Sequence, residues 1–160
     1  MAEDLLNLLS LNSRLSSKEL AQRLDQTEEE VQENIKKLED EGVIRGYVAV
    51  IDENYCIETA TRAIINVKII PEREGGFDKM AQRLSKNPEV TSLYLISGQS
   101  DLQLEVKGKT LQDVSKFVSE KLATIKGVTE TSTHFLLKKY KESGKLLFDG
   151  ERYERLKITP

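Results

Sequence analysis

The 160-residue chain has one cysteine, one histidine, three prolines and no tryptophan. A lone Cys56 excludes an intramolecular disulfide and suits a reducing, cytoplasmic setting. With one histidine, His134, and that one cysteine, neither a His/Cys zinc site nor a Ser-His-Asp triad has support. No GxGxxG or phosphate-loop pattern occurs. No early apolar run reaches the length of a signal sequence or a membrane span, because Asn7, Ser10, Asn12, Ser13 and Arg14 interrupt the leucines. The expectation is a protein without catalytic residues, metal, cofactor or membrane segment. Its 38% hydrophobic content suffices for a core, and its 32% charged content supplies a solvated surface.

The most ordered pattern lies between Leu5 and Tyr47. Ser16 has Glu19 three residues on, and Thr27 has Glu30 three residues on. Each is a capping box: the hydroxyl accepts from the third helical N–H while the glutamate reaches back to the cap's own N–H. The two boxes bracket a helix of about two turns, Ser17–Leu24, and Asp25-Gln26 leaves room only for a tight turn. Leu20, Ala21 and Leu24 share one face of this helix; Val31, Ile35 and Leu38 share one face of the next. Leu5, Leu6, Leu8 and Leu9 surround most of a preceding helix. Gly42 stops the third helix, and Val43–Asp52 reads as a strand or an extended linker. Helix, tight turn, helix is the unit of many major-groove readers.

Charge is divided unevenly. Residues 1–46 hold six bases and eleven acids, whereas residues 47–160 hold eighteen bases and sixteen acids. The third helix opens Thr27-Glu28-Glu29-Glu30 and closes Glu39-Asp40-Glu41. Non-specific DNA affinity comes largely from bases meeting phosphates, so this head is expected to bind weakly alone. Gln32 and Asn34 are the candidates for base edges. Arg14, Lys18, Lys36 and Lys37 are the candidates for phosphates, and Ser17 and Thr27 at the helix openings complete the set.

After a polar break at Asp52–Glu58, the pattern changes period. Arg62–Ile70 is a strand with Ala63, Ile65, Val67 and Ile69 on one face, ended by Pro71. Gly75-Gly76 precedes a helix with Phe77, Met80, Ala81 and Leu84 on one side, closed by Asn87-Pro88. Val90–Ser97 and Leu102–Lys107 read as strands joined through Gly98-Gln99-Ser100-Asp101. Thr110 caps a second helix with a stripe of Leu111, Val114, Phe117, Val118, Leu122 and Ile125, stopped by Gly127. Val128–Tyr140 supplies a fourth strand. The order strand, helix, strand, strand, helix, strand is the ferredoxin-like βαββαβ plan, with both helices on one face. The bare face carries Ile64, Tyr94, Ile96 and Leu136 among Asn66, Gln103, Glu105 and His134. A second copy of the chain is expected to cover it. Gly144–Pro160 lies beyond the plan, as a further hairpin or an arm, with Asp149-Gly150 as a turn pair.

The fold class is therefore α+β: a helix-turn-helix (winged-helix-like) domain over residues 1–52, a linker at 53–58, a ferredoxin-like domain over 59–141 and an extension at 142–160. This combination resembles the Lrp/AsnC family of transcriptional regulators over about residues 4–141. Leu38-Glu39-Asp40-Glu41-Gly42-Val43-Ile44-Arg45-Gly46-Tyr47 is similar to the family's LExxGxIxGY segment, and Ser97-Gly98-Gln99-Ser100-Asp101 to its (S/T)GxxD turn. The resemblance implies that the second domain is a RAM domain, dimerising through its sheet, with dimers often assembling into octamers. It implies partners in double-stranded DNA and a small effector, commonly an amino acid, bound near Gly98 and Asp101. Gly98 would let backbone N–H groups approach a carboxylate, and Asp101 would accept from an ammonium group. Thr131 and Thr133, on the adjoining strand, would add hydroxyls. Against the family pattern, Glu28–Glu30 replace a small first turn, Asn34 stands where arginine is common, and Asp40 replaces another frequent base. Two other readings arise from these features: an effector-sensing oligomer with weak or no DNA binding, and a sirohaem-decarboxylase-like enzyme. The few arginines and single histidine of the second domain weigh against the enzyme.

Overall fold

The structure is a computed structural model that describes residues 2–51, 61–71 and 76–147. The chain divides into two compact units, Met1–Ala49 and Val50–Pro160. In the first, α1 (Ala2–Leu11), α2 (Ser17–Leu24) and α3 (Glu28–Asp40) surround a core of Leu5, Leu20, Ala21, Val31 and Leu38. Both expected capping boxes form. Ser16 Oγ accepts from the Glu19 N–H at 3.2 Å while Glu19 Oε2 accepts from the Ser16 N–H at 2.8 Å. Thr27 and Glu30 repeat the exchange at 3.2 and 2.9 Å. Asp25 closes α2 in the left-handed region, with φ of 53°, so the turn into α3 is as short as the sequence allows.

α3 ends in a Schellman arrangement. Gly42 takes φ of 67°, its N–H bonds the Glu39 carbonyl at 2.9 Å, and the Val43 N–H bonds the Leu38 carbonyl at 2.8 Å. The Ile44 N–H shares the Leu38 carbonyl at 3.0 Å. This corrects one of the two readings of the next stretch: residues 43–51 pair with no strand among the described residues. The first two donors are turned back onto the helix end, and the chain beyond runs without regular structure. Asp52, the expected linker at 53–58 and Cys56 lie outside the described residues, as does Gly75.

The second unit takes the expected order: β1 (Thr61–Ile69), α4 (Asp78–Ser85), β2 (Val90–Leu95), β3 (Leu102–Gly108), α5 (Leu111–Lys116) and β4 (Val128–Phe135). The sheet order is β2-β3-β1-β4, and all neighbours are antiparallel. β1 is a middle strand because its odd positions are apolar: Ala63, Ile65 and Val67 are fully buried, and Ile69 nearly so. They meet Leu102, Leu104 and Val106 of β3 and the inner faces of the helices, through Met80, Leu84, Val114, Phe117, Leu122 and Ile125. α5 continues as a π-helix, Phe117–Leu122, which turns both its end residues inward. Leu111 departs from the expected stripe: it is the first residue of α5 and is exposed.

Two further expectations are corrected. The fourth strand ends at Phe135 rather than Tyr140, after which the Leu136 N–H still bonds the Arg62 carbonyl at 2.9 Å. A hairpin forms earlier than the stretch expected to hold one: β5 (Lys141–Glu142) pairs with β6 (Lys145–Leu146) and turns at Ser143-Gly144, so only its second half lies in Gly144–Pro160. Both turn residues take positive φ, 44° and 79°, the signature of the turn that matches strand twist. Asp149-Gly150 lies outside the described residues. Lys139 ties the hairpin down, pairing with Glu142 and lying 3.8 Å from Glu105 on β3.

The capping carboxylates make the head sensitive to acid. The cap N–H groups of Ser16 and Thr27 hold the carboxyls of Glu19 and Glu30 below their ordinary value of 4.5. A depressed folded-state pKa gives stability that is present above the unfolded value and lost as pH falls through the folded one. Head helicity, monitored by circular dichroism, should therefore decline below pH 4.5. The double variant Glu19→Gln/Glu30→Gln, which keeps an acceptor at each cap, should show a shallower decline.

Candidate functional site

Two surfaces carry the residues singled out above. The first is the solvent side of the helix-turn-helix. Arg14, Lys18, Thr27, Gln32, Asn34, Lys36 and Lys37 are all exposed, and Ser17 is half-buried at the opening of α2. Gln32 and Asn34 do not share a face. Residues two apart on a helix lie about 160° from each other at 3.6 residues per turn, so Gln32 stands beside Lys36 and Asn34 beside Lys37. A single approach of α3 to a groove therefore cannot seat both at its centre. Lys37 also lies 4.0 Å from Glu41, an exposed pair that partly neutralises it.

The end of α3 is better satisfied than its acidic sequence suggested. The Arg45 guanidinium folds over Gly42, its Cζ and Nη1 lying 3.2 Å from where a Cβ would stand. That sets a positive charge at the helix C-terminus, where the dipole favours it. The Tyr47 hydroxyl donates to Glu39 Oε1 at 2.9 Å. Partial burial, and after it the Glu39 carboxylate, raises the Tyr47 phenol above its ordinary value. The Leu38–Tyr47 segment is thus a clasp: a glycine stop, a cation over it, and a phenol tied back to the helix.

The second surface is the turn between β2 and β3. Ser97, Gly98 and Gln99 are exposed, and Ser100 and Asp101 half-buried. Gly98 has φ of 125°, and a Cβ there would meet nothing within 4 Å. The glycine answers a backbone requirement, and it leaves the space beside it open. Asp101 is already engaged. Its Oδ2 accepts from the Ile69 N–H at 2.8 Å, its own N–H bonds the Val67 carbonyl at 3.0 Å, and its carbonyl accepts from the Ile96 N–H at 2.9 Å. One residue therefore joins the turn, β1 and the end of β2. The other carboxylate oxygen retains acceptor capacity.

Thr131 and Thr133 are not on a strand adjoining the turn. They stand on β4, opposite Val67 and Ile65, with β1 between them and β3. Two inter-strand spacings, about 10 Å, separate them from β3. Both are half-buried and on the helix-covered side. His134 faces the bare side, opposite Ile64, with its Nε2 3.1 Å from Ser132 Oγ. Among the described residues no group of three or more His, Cys, Asp or Glu side chains is placed to hold a metal.

The reading from sequence missed the Asp101-to-Ile69 bond, which only the strand order discloses. It also missed Arg45, whose place three residues after a helix-ending glycine was available as a signal.

Comparison with known proteins agrees with both halves. A protein-family model described as Lrp/AsnC ligand binding domain matches residues 62–146, and one described as winged helix-turn-helix DNA-binding matches residues 2–45. The chain is 40% identical over 158 residues to YugG of Bacillus subtilis (strain 168), an uncharacterized HTH-type transcriptional regulator, covering 98% of this chain and 95% of that one. It is 24% identical over 144 residues to the leucine-responsive regulatory protein of Escherichia coli (strain K12), covering 90% and 87%. Among solved structures, a transcriptional regulator from Neisseria meningitidis in complex with L-Met superposes with a TM-score of 0.67 at 28% identity, covering 88% and 90%.

The Asp101 geometry gives a graded expectation. Asp101→Ala removes the acceptor from a partly buried N–H and should cost about 1–3 kcal/mol. Asp101→Asn keeps an acceptor and should cost less. Chemical denaturation of the three proteins side by side measures the order.

Proposed function

This chain belongs to the Lrp/AsnC family of transcriptional regulators, and on that premise we propose that an amino acid, bound near Gly98–Asp101, controls its grip on DNA. It is a helix-turn-helix transcription regulator with a ligand-binding domain. The observation that carries the proposal is the pairing, in one chain, of a fully capped helix-turn-helix with a sheet body whose (S/T)GxxD turn stands open. The L-Met complex of the Neisseria relative supports an amino acid as the effector class. The backbone beside Gly98 offers N–H groups to a carboxylate, and the spare oxygen of Asp101 offers an acceptor to an ammonium group.

DNA contact falls to α3 and the opening of α2. Lys36 and Lys37 meet phosphates, with Arg14 and Lys18 behind them, and Ser17 and Thr27 lend the helix openings. The head's acidic excess makes each head a weak binder. A homodimer offsets this by presenting two heads at once, which raises effective concentration without new contacts. The bare side of the sheet supports the dimer. Ile64 is half-buried there and Tyr94 is exposed, beside Asn66 and Gln103, which bond each other at 3.0 Å. Such a face is too apolar for open solvent, and pairing with a second copy removes it from water at about 25 cal/mol per Å² of apolar area. Assembly of dimers into octamers would multiply the heads again.

The protein so described works by binding, not by catalysis. No helix among the described residues is long and apolar enough to cross a membrane. The acidic head is the one observation that favours a different output, an oligomeric sensor that does not act on DNA.

The test is binding of full-length protein to sheared genomic DNA across a salt series, with and without each common amino acid. A retained site whose affinity shifts with one amino acid is expected. Lys36→Ala/Lys37→Ala should weaken binding and flatten the slope of log affinity against log salt by about two for each head engaged, about four for a dimer. No retention even at low salt, from an intact oligomer, would overturn the DNA reading and favour the sensor.

A further inference from the structure

The cross-section of α3 has an order that the head's acidic excess conceals. Its buried face is set by Val31, Ile35 and Leu38. At about 100° per residue, the opposite face carries, in sequence around the axis, Lys36, Glu29, Asp40, Glu33 and Lys37, all exposed. A stripe of carboxylates runs down the middle of the outward face, with one lysine on each side of it.

The acids of that stripe are not accounted for by the fold. Glu30 serves the cap, Glu39 holds Tyr47 and Glu41 lies beside Lys37. Glu29 and Glu33 have no partner among the described residues. They stand four residues apart, a like-charge spacing that works against the helix. Glu29 lies in the first turn, where the dipole offsets this; Glu33 lies beyond it. Lys37, four residues beyond Glu33, and Lys36, three beyond it, offset part of this; what remains is a line of unbridged carboxylates on the side a helix-turn-helix presents to DNA.

A helix about 10–12 Å across fills a major groove about 12 Å wide. Its two flanks then face the phosphate walls, and its outward midline faces the base edges. Lysines on the flanks and carboxylates on the midline match that division of charge. A carboxylate can only accept. In the major groove the donors are the amino groups of cytosine N4 and adenine N6, and guanine offers acceptors alone.

We propose that Glu29 and Glu33 are specificity-determining residues, reading amino groups on cytosine, or on adenine, while Lys36 and Lys37 hold the groove walls. This rests on the head binding DNA through α3. The stripe then performs two tasks. It repels phosphate-only encounters, keeping non-specific binding low, and it rejects a pair oriented so that guanine O6 and N7, rather than an amino group, meet the carboxylate.

The experiment is selection from random duplexes with the full-length protein at moderate salt, and sequencing of the retained pool, for the unaltered chain, Glu29→Gln, Glu33→Gln and, as a neighbouring-charge control, Glu28→Gln. The expected motif fixes, at two positions per half-site, cytosine or adenine on one given strand and excludes guanine and thymine from it. Each of the first two variants should change preference at one of them by about tenfold, toward adenine, which glutamine bonds in bidentate fashion. Glu28→Gln should leave base preference as it was. If all three variants raise affinity uniformly and recover an unchanged motif, the carboxylates only repel, and the inference is overturned. If the unaltered chain selects no motif at all, the DNA reading itself fails and the inference with it.

Discussion

The alternation of β1 is the constraint on which the body depends. Burying Ala63, Ile65, Val67 and Ile69 against two helices commits the even positions to the other side of the sheet. A one-residue slip would exchange the two sets, so the register with β3 and β4 is held by the core. That register gathers Ile64, Asn66, Gln103 and His134 on the face opposite the one that α4 and α5 pack against. The same strand receives the Asp101 carboxylate at the Ile69 N–H. The turn proposed to hold the effector and the face proposed to hold a second copy are thus joined to one strand. Neither can move far without disturbing the most buried residues of the domain.

Much of this was legible in the chain. The capping boxes needed only Ser16, Glu19, Thr27 and Glu30 at fixed spacing, because a cap is a local bond between near neighbours. The faces of α2, α3 and β1 came from period alone, and the body's plan came from the alternation of element types. The features that were not legible depended on contacts distant in sequence. Asp101 reaches Ile69 across thirty-two residues, and nothing local marks it as a staple rather than a ligand group. Thr131 and Thr133 looked adjacent to the turn because β4 is a strand of the same sheet, but β1 takes the place beside β3. Leu111 looked like part of the stripe because its spacing fits, yet it is the first residue of α5 and stays exposed. The hairpin turn at Ser143-Gly144 was passed over for Asp149-Gly150 on residue preference, while Lys139 anchors the earlier strands to Glu105.

The clasp after α3 fixes how the chain leaves that helix. Gly42, Arg45 and Tyr47 fix the first residues after the helix through a Schellman bond, a cation over the helix end and a phenol to Glu39. Each contact is modest, and two of the three are exposed. Together they leave the chain little freedom until after Tyr47, so the direction in which it leaves the head is set by α3 itself.

An effector can bias such a protein only by binding one arrangement more tightly than another. The turn around Asp101 is held by three bonds to two strands, so it is poorly suited to melting or refolding as its response. A ligand seated there gains differential affinity more readily from a second surface brought up to the turn than from the turn's own deformation. The open space beside Gly98, where a Cβ would touch nothing, is consistent with a site completed by another copy. On the proposed reading, the amino acid changes how copies sit together, and weak acidic heads convert that change into DNA affinity. Because each head contributes little alone, binding depends on two heads meeting the duplex at the right spacing. Stronger heads would hold DNA in either arrangement and blunt the response. The acidic excess of residues 1–46 is then a condition for regulation rather than a defect of the reader.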